Sequence, residues 1–243
     1  MAHYLNAPIV EAIIDIQVRV PSAPTPDVFK RLSDELTSTF PSSTSINQIH
    51  LNIQPGAIPL PPNVSVAGLR LTRQENDRVL QIQPRGMTYS HLPPYSNWNA
   101  FRDEVRPLWE RYVEFVKPEA VTRIALRYIN RIYIPQTVYE LSDYFRLYPQ
   151  IPEKIPQDIN GFFMQFQMPQ KDLAANALAV INLASAQMRE DGAQSVALDI
   201  DLFTACELEP SSEEIFSLLE IIRTRKNELF EACITDKSRE LFR

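Results

Sequence analysis

The chain has 243 residues and a net charge of −6, and 44% of its residues are hydrophobic. This content is ample for a buried core, and it excludes an intrinsically disordered chain. No run approaches the ~18 apolar residues of a membrane span, and the acidic balance disfavours a generic nucleic-acid binder. Because the chain lacks a basic leader and has only Cys206 and Cys233, in unlike contexts, we expect a cytoplasmic protein without a disulfide framework.

Glycine is scarce, which excludes two common classes of nucleotide site. The five glycines lie no closer together than twelve residues. A phosphate-binding P-loop and a dinucleotide-binding turn both need several closely spaced glycines. Three scattered histidines and two cysteines also make a poor ligand set for a transition metal. The sequence therefore predicts no cofactor and no tightly bound metal.

Hydrophobic periodicity predicts the elements of the first part of the chain, residues 1–118. Thr25 and Pro26 are typical of a helix start, and Ser96 or Asn97 is expected to cap a second helix. The apolar stripe of that second helix includes both tryptophans, which are expected to be core anchors. The predicted elements are strand 9–20, helix 26–40, strand 46–54, strands 66–73 and 78–84 joined by a turn, an extended segment 87–91 and helix 98–116.

The residue pattern of the second part, 119–243, predicts a similar series of strands and helices. Residues 176–188 are ambiguous, because their alanines favour a helix but Asp191-Gly192 is a hairpin turn signal, and a strand is preferred. Ser211 and Glu214 have the spacing of a capping box before a long amphipathic helix. The predicted elements are strand 122–134, a short helix or loop 139–148, strands 162–168, 176–188 and 195–207, the long helix, and a short helix 236–242.

Each part thus reads as strand, helix, three strands, helix. We expect an α+β fold of two similar halves, 1–118 and 119–243, either as two units or merged into one. The sheet is expected to be mainly antiparallel with helices packed on one side.

Strand 122–134 carries a stripe of arginines. Because side chains alternate along a strand, Arg123, Arg127 and Arg131 share one face, with roughly 13 Å between neighbours. The stripe is either an anion site or an ion-paired seam, and the sequence leaves both open. Asp199 and Asp201 share one face of a later strand and are expected to pair with the arginines across strands. The alternative for these aspartates, a Mg²⁺ site, lacks further acidic residues at convincing spacing.

Other candidate binding residues lie on the opposite face of this strand and near a proline pair. Tyr128 and Asn130 share the opposite face, and His91 precedes Pro93-Pro94. A metal-independent ribonuclease would use one or two histidines with arginines that hold a phosphate, here His50, His91, Arg123 and Arg127. The favoured interpretation is that His91 closes a strand end and His50 is a sheet residue.

Several segments occur together in an order that resembles a sporadically distributed family of uncharacterised bacterial proteins of similar length. The resemblance covers nearly the whole chain but implies no established fold, activity or catalytic residue. Its patchy distribution is typical of accessory or phage-defence genes. The segments are NAPIVEAIIDI (residues 6–16), LPPYSNW (92–98), TRIALRYINRI (122–132), LDIDLF (198–203) and the closing LFEACITDKSRELF (229–242).

These observations favour a non-catalytic binding or assembly protein. It would act through a protein partner or self-association, as an accessory component of a phage-defence or toxin–antitoxin type system. The alternative is an RNA-binding protein or metal-independent ribonuclease that uses the arginine strand and a histidine. No membrane partner is expected, and an open edge strand is expected to support a homodimer or a stable complex.

Overall fold

A computed structural model describes residues 4–50, 63–135, 139–157, 159–187 and 194–243. Within these ranges the chain is a mixture of helices and strands built on one large antiparallel sheet. The sheet has nine strands in the order β2-β3-β4-β5-β1-β6-β9-β8-β7. The strands are β1 (Ile9–Arg19), β2 (Ser42–His50), β3 (Asn63–Thr72), β4 (Arg78–Gln83), β5 (Gly86–His91), β6 (Ala120–Ile134), β7 (Phe163–Pro169), β8 (Ala177–Ala186) and β9 (Gln194–Leu208).

The helices pack against the inner face of this sheet. Alternation along β1 and β6 directs one set of apolar side chains towards α1, α2 and α4, and residues of both strands and all three helices share one core cluster. Ile14 of β1 faces Leu126 of β6, and neither side chain is exposed to solvent. The helices are α1 (Pro26–Glu35), α2 (Trp98–Val116), α3 (Leu141–Tyr144), α4 (Glu214–Cys233) and α5 (Asp236–Glu240).

The first strands of the two predicted halves lie side by side at the middle of the sheet. β1 pairs with β6, β5 continues the sheet on the β1 side, and β9 continues it on the β6 side. Four strands, β2 to β5, separate α1 from α2, whereas three strands separate α3 from α4. The predicted count of three strands is therefore wrong for the first half, and the internal repeat stays a prediction.

Local details confirm most predicted elements and correct one. Residues 177–186 form a strand, as the turn signal predicted, while the turn at 191–192 lies outside the described residues. Asn97 caps α2 by accepting a hydrogen bond from the Ala100 amide at 2.9 Å. The capping box is wrong: Glu213 is the N-cap of α4 and makes no side-chain capping bond, while the Ser212 hydroxyl accepts from the Glu214 amide instead.

Within the described ranges, no helix combines the length and the apolar character needed to cross a bilayer.

Candidate functional site

The arginine stripe of β6 lies on the outer face of the sheet, away from the helices. Arg127 Nε and Nη2 donate to the two carboxylate oxygens of Asp199, at 2.8 and 2.7 Å. The Asn182 amide also donates to Asp199, at 3.0 Å. The predicted pairing of this arginine with an aspartate on a neighbouring strand is confirmed, because β6 and β9 are adjacent and antiparallel.

A second pair extends the ionic seam to β1. Arg123 donates to Asp15 at 2.6 Å and lies 3.6 Å from Asp201, and its guanidinium stacks on the Phe203 ring. Burial raises the pKa of Asp201, although Arg123 and Arg127 act in the opposite direction. The expected pairing is wrong for Arg131, which is exposed, lies opposite Ala197 and has no carboxylate partner in the described part of the chain. Two of the three arginines are thus neutralised by the sheet itself, which favours the structural interpretation of the stripe over an anion site.

His91 lies on the opposite side of the sheet from the stripe. It is 1% exposed, its Nε2 donates to the Pro94 carbonyl at 3.1 Å, and its ring packs on Tyr95 and Phe101. Burial, followed by the nearby Arg78 charge, lowers the pKa of His91. A histidine held neutral on the helix side has no route to a phosphate at Arg127.

The proposed ribonuclease set is therefore not assembled. His91 is separated from the arginines by the sheet, and β2, which ends at His50, is the outermost strand on the far side of β1. The favoured structural interpretation of His91 agrees with its position at the end of β5.

A pocket of about 560 Å³ opens on the helix side of β6. Its walls come from the N-terminal segment, the loop that leads into α2, the middle of β6 and the second half of α4. The lining residues are Tyr4, Leu5, Asn6, Ala7, Pro8, Ile9, Pro93, Pro94, Tyr95, Ser96, Asn97, Trp98, Tyr128, Asn130, Arg223, Lys226, Asn227, Glu228, Phe230 and Glu231. We call it the Lys226 pocket.

Lys226 is the unusual residue of this pocket. It is 6% exposed, and its Nζ lies 3.5 Å from the centroid of the Tyr128 ring. Burial, followed by repulsion from Arg223, lowers the pKa of Lys226 to about 7. Among the described residues no carboxylate pairs with its amine. Lys226 is therefore a buried amine that titrates near neutral pH.

The acidic side chains around the pocket have arginine partners of their own. Glu231 accepts from Arg239 at 2.8 Å, and Glu228 lies 3.0 Å from the Arg225 Nε. Glu220, one turn below the pocket on α4, accepts from the Trp98 indole at 2.7 Å and from Arg102 at 2.6 Å. These carboxylates are therefore paired with arginines or with the Trp98 indole, and none of them pairs with Lys226.

Arg223 is the second cation of the pocket. It precedes Lys226 by three residues on α4, so the two side chains leave the same side of the helix. Its guanidinium lies 5.6 Å from the Trp98 ring centroid and contacts Glu220 only at 3.8 Å. An anion that enters the pocket therefore meets the Arg223 guanidinium and, when it is protonated, the Lys226 amine.

Burial makes the charged form of Lys226 costly. A protonated amine removed from water costs several kcal/mol. The Tyr128 ring returns about 2 kcal/mol of this cost, the usual size of a desolvated cation–π contact. The remaining cost favours the neutral form of the amine. A bound anion would offset this cost and favour the charged form.

The floor of the pocket is rigid and aromatic. The Tyr95 and Tyr128 hydroxyls share a hydrogen bond of 2.7 Å, and Asn130 Nδ2 donates to the Leu198 carbonyl at 3.0 Å. Burial raises the pKa of both tyrosines, so they stay protonated at neutral pH. Tyr128 and Asn130, two of the predicted binding residues, do line this pocket, whereas the three arginines of the stripe do not.

The N-terminal wall is held by both ends of the chain. The Asn6 amide donates to the Phe242 carbonyl at 3.0 Å, and the Asn6 side chain donates to the Arg243 carbonyl at 2.9 Å. The Arg131 amide donates to the Pro8 carbonyl at 2.8 Å. These bonds place residues 4–9 across the mouth of the pocket.

Lys226 was missed by the sequence reasoning, although the pattern contains a signal for it. The apolar stripe of α4 recurs at spacings of four and three, and position 226 falls within that stripe. A lysine at a core position of an otherwise apolar stripe is unexpected, because lysine is almost never fully buried without a partner. The stripe is Ile215, Leu219, Ile222, Lys226, Leu229 and Cys233.

Other ligand chemistry is weakly supported in the described part of the chain. No three His, Cys, Asp or Glu side chains come together there in a way that would hold a metal ion. Burial raises the pKa of both cysteines, with a smaller effect of Glu207 on Cys206. Both thiols are accordingly poor nucleophiles at neutral pH.

Four of the five segments on which the family resemblance rests contribute walls to the Lys226 pocket. They supply Asn6–Ile9 at the mouth, Pro93–Trp98 at one side, Tyr128 and Asn130 at the floor, and Phe230 with Glu231 on α4. The fifth segment supplies Leu198, whose carbonyl orients Asn130. No protein-family model, curated protein or solved structure matches the chain.

Proposed function

We propose that this chain is a binding protein whose binding site is the Lys226 pocket, and that its ligand presents an anionic group to Arg223 and Lys226. The observation that carries the proposal is the buried amine of Lys226, which faces a pocket of about 560 Å³ without a carboxylate partner among the described residues. Buried cations in proteins are normally paired, and an external anion would supply a partner for the protonated amine.

The size and lining of the pocket favour a small molecule. A volume of this order is typical of small-ligand sites, which combine mostly apolar walls with a few convergent polar groups. Here Trp98, Tyr95 and Tyr128 supply aromatic walls. Arg223 and Lys226 would orient the anionic end of the ligand. A small carboxylate or phosphate with an apolar body fits this combination.

The binding role agrees with the non-catalytic role that the sequence favours. The pocket draws walls from both predicted halves, the loop before α2 from residues 1–118 and α4 from residues 119–243. We retain as part of the proposal that the two halves are structurally similar units. A place in a phage-defence or toxin–antitoxin type system and a cytoplasmic location stay predictions.

Association with a protein partner or a second copy is the second candidate. The outermost strands of the described sheet are β2 and β7, and Phe163 on β7 is 66% exposed. An unpaired outer strand offers backbone groups to another chain. The RNA-binding alternative has less support, because Arg123 and Arg127 are already paired with aspartates.

Isothermal titration with inorganic phosphate and with acetate tests the proposed function. The wild-type protein is expected to bind at least one of the two probes, and Lys226→Met is expected to bind it at least about tenfold more weakly, or about 1.4 kcal/mol. Lys30→Met, which removes an exposed lysine on α1, is the matched control and should bind as wild type does. Failure of both probes to bind, or equal binding by Lys226→Met, would overturn the proposal.

A further inference from the structure

The amine of Lys226 has the surroundings of a nucleophile as well as those of a counter-ion. Lys226 lines the pocket and is 6% exposed, and its Nζ lies 3.5 Å from the centroid of the Tyr128 ring. Arg223, a cation three residues earlier on the same helix, adds to the lowering of the pKa of Lys226. Lysines become nucleophilic when they are desolvated or lie beside another cation, and Lys226 meets both conditions.

We infer that Lys226 binds its ligand covalently and reversibly, as an imine with a small carboxylic acid that carries an aldehyde or ketone group. This inference rests on the proposed function, because it requires the same pocket to hold the anionic end of the ligand at Arg223. It adds the chemical class of the ligand and a reaction of the amine.

The spacing of the two side chains defines the class. Residues three apart on a helix have Cβ atoms about 5–6 Å apart, and both Arg223 and Lys226 line the pocket, so both can contact one small molecule. A 2-oxo acid or a short aldehyde acid places its carbonyl carbon within a bond or two of its carboxylate. The aromatic walls then receive the remaining apolar part of the ligand.

Imine formation needs no co-reactant and releases one water molecule. The lone pair of neutral Nζ attacks the carbonyl carbon and forms the C–N bond, while the C=O π pair moves to oxygen, which takes the proton that the nitrogen loses. The nitrogen lone pair then forms the C=N bond as the hydroxyl leaves with a proton. One amine and one carbonyl thus give one imine and one water, and hydrolysis releases the ligand.

Neutral amine is available at physiological pH. A pKa of about 7 leaves about half of Lys226 unprotonated at that pH, about a thousandfold more than an ordinary exposed lysine. The groups that surround it are Arg223, Glu220 and Glu228 on α4, Tyr128 on β6, Tyr95 on the loop before α2, and Tyr4 and Glu231 near the mouth. All the carboxylates among them have partners of their own, so the neutral amine is not drawn back into an ion pair.

Reductive trapping with glyoxylate tests the inference. Sodium borohydride added to the full-length protein with glyoxylate is expected to fix one adduct, and peptide mapping is expected to place it on Lys226. Lys226→Met should lose this adduct, whereas Lys30→Met should keep it. Propanal, which has the carbonyl but no carboxylate, is expected to label Lys226 at least about tenfold more slowly.

The outcomes separate this inference from the proposed function. Glyoxylate that displaces bound phosphate or acetate but leaves no reduced adduct on Lys226 would overturn the imine while the anion-binding function stands. Adducts spread evenly over the exposed lysines would also overturn it. Absence of both anion binding and labelling would overturn both proposals together.

Discussion

Replacing Lys226 with methionine is expected to stabilise the protein without a ligand. Methionine keeps the length and apolar stem of the side chain, and it removes a group whose charge is unfavourable where it lies. Lys226 is 6% exposed, and its pKa falls from 10.5 to about 7. At about 1.36 kcal/mol per pH unit, that difference corresponds to about 5 kcal/mol of destabilisation of the charged form.

The stability that Lys226→Met gains over the wild-type protein is expected to depend on pH. Because the folded pKa is lowered, the unfolded chain binds more protons than the folded chain between about pH 7 and 10.5. The wild-type protein therefore gains stability as the pH rises through this window. Lys226→Met should be about 3–5 kcal/mol more stable at neutral pH, and its advantage should shrink towards pH 10.5.

Urea denaturation of both proteins at several pH values measures this difference. Titrations elsewhere in the chain are common to both proteins and cancel in the comparison. Lys30→Met, at an exposed position, should change stability by no more than about 0.5 kcal/mol at any pH. The reasoning is refuted if Lys226→Met is less stable than wild type at neutral pH, or if the gap between them does not change with pH.

Three further predictions concern the anion, the ionic seam and assembly. Acetate, whose own charge does not change near pH 7, should bind more tightly as the pH falls through about 7, because a bound anion favours protonated Lys226; titration calorimetry showing no pH dependence there would contradict this. Arg127→Ala should cost about 1–2 kcal/mol in urea denaturation, because Asp199 is left with only Asn182, and exposed Arg131→Ala should cost under about 0.5; equal costs would contradict the pairing. Light scattering should give a dimer mass, or a partner protein should co-purify; a single-chain mass without a partner would count against both.

The sheet was predictable because its strands alternate strongly. Residues 124–134 of β6 put every second side chain into the core, and this regular pattern identifies both the strand and its buried face. The order of the nine strands was beyond sequence reasoning, because pairing between distant strands depends on side chains that local patterns do not connect. The start of α4 was misplaced for a related reason: Ser212 rather than a capping box satisfies an early amide, and the two choices differ by one residue in a polar run.

The candidate site was harder to predict because its walls are far apart in the sequence. Tyr128 and Asn130 were identified beside the arginines, yet alternation along β6 sends them to the opposite face, where they meet α4. The three arginines attracted attention as a possible anion site, but Arg123 and Arg127 are compensated by aspartates on the two adjacent strands, β1 and β9. A single lysine in an apolar helix stripe carried more information, but only the structure reveals that it faces a pocket.

Lys226 and Arg127 differ in whether the fold supplies a partner for their charge. Arg127 has its partner within the fold, so its charge adds to the stability of the folded chain. Lys226 has none among the described residues, and its cost persists because the surrounding helix, strand and loop hold it in place. A residue that weakens its own fold is retained where it acts on something outside it. The stabilisation expected on removing this amine and the ligand binding lost with it are therefore two measurements of the same property.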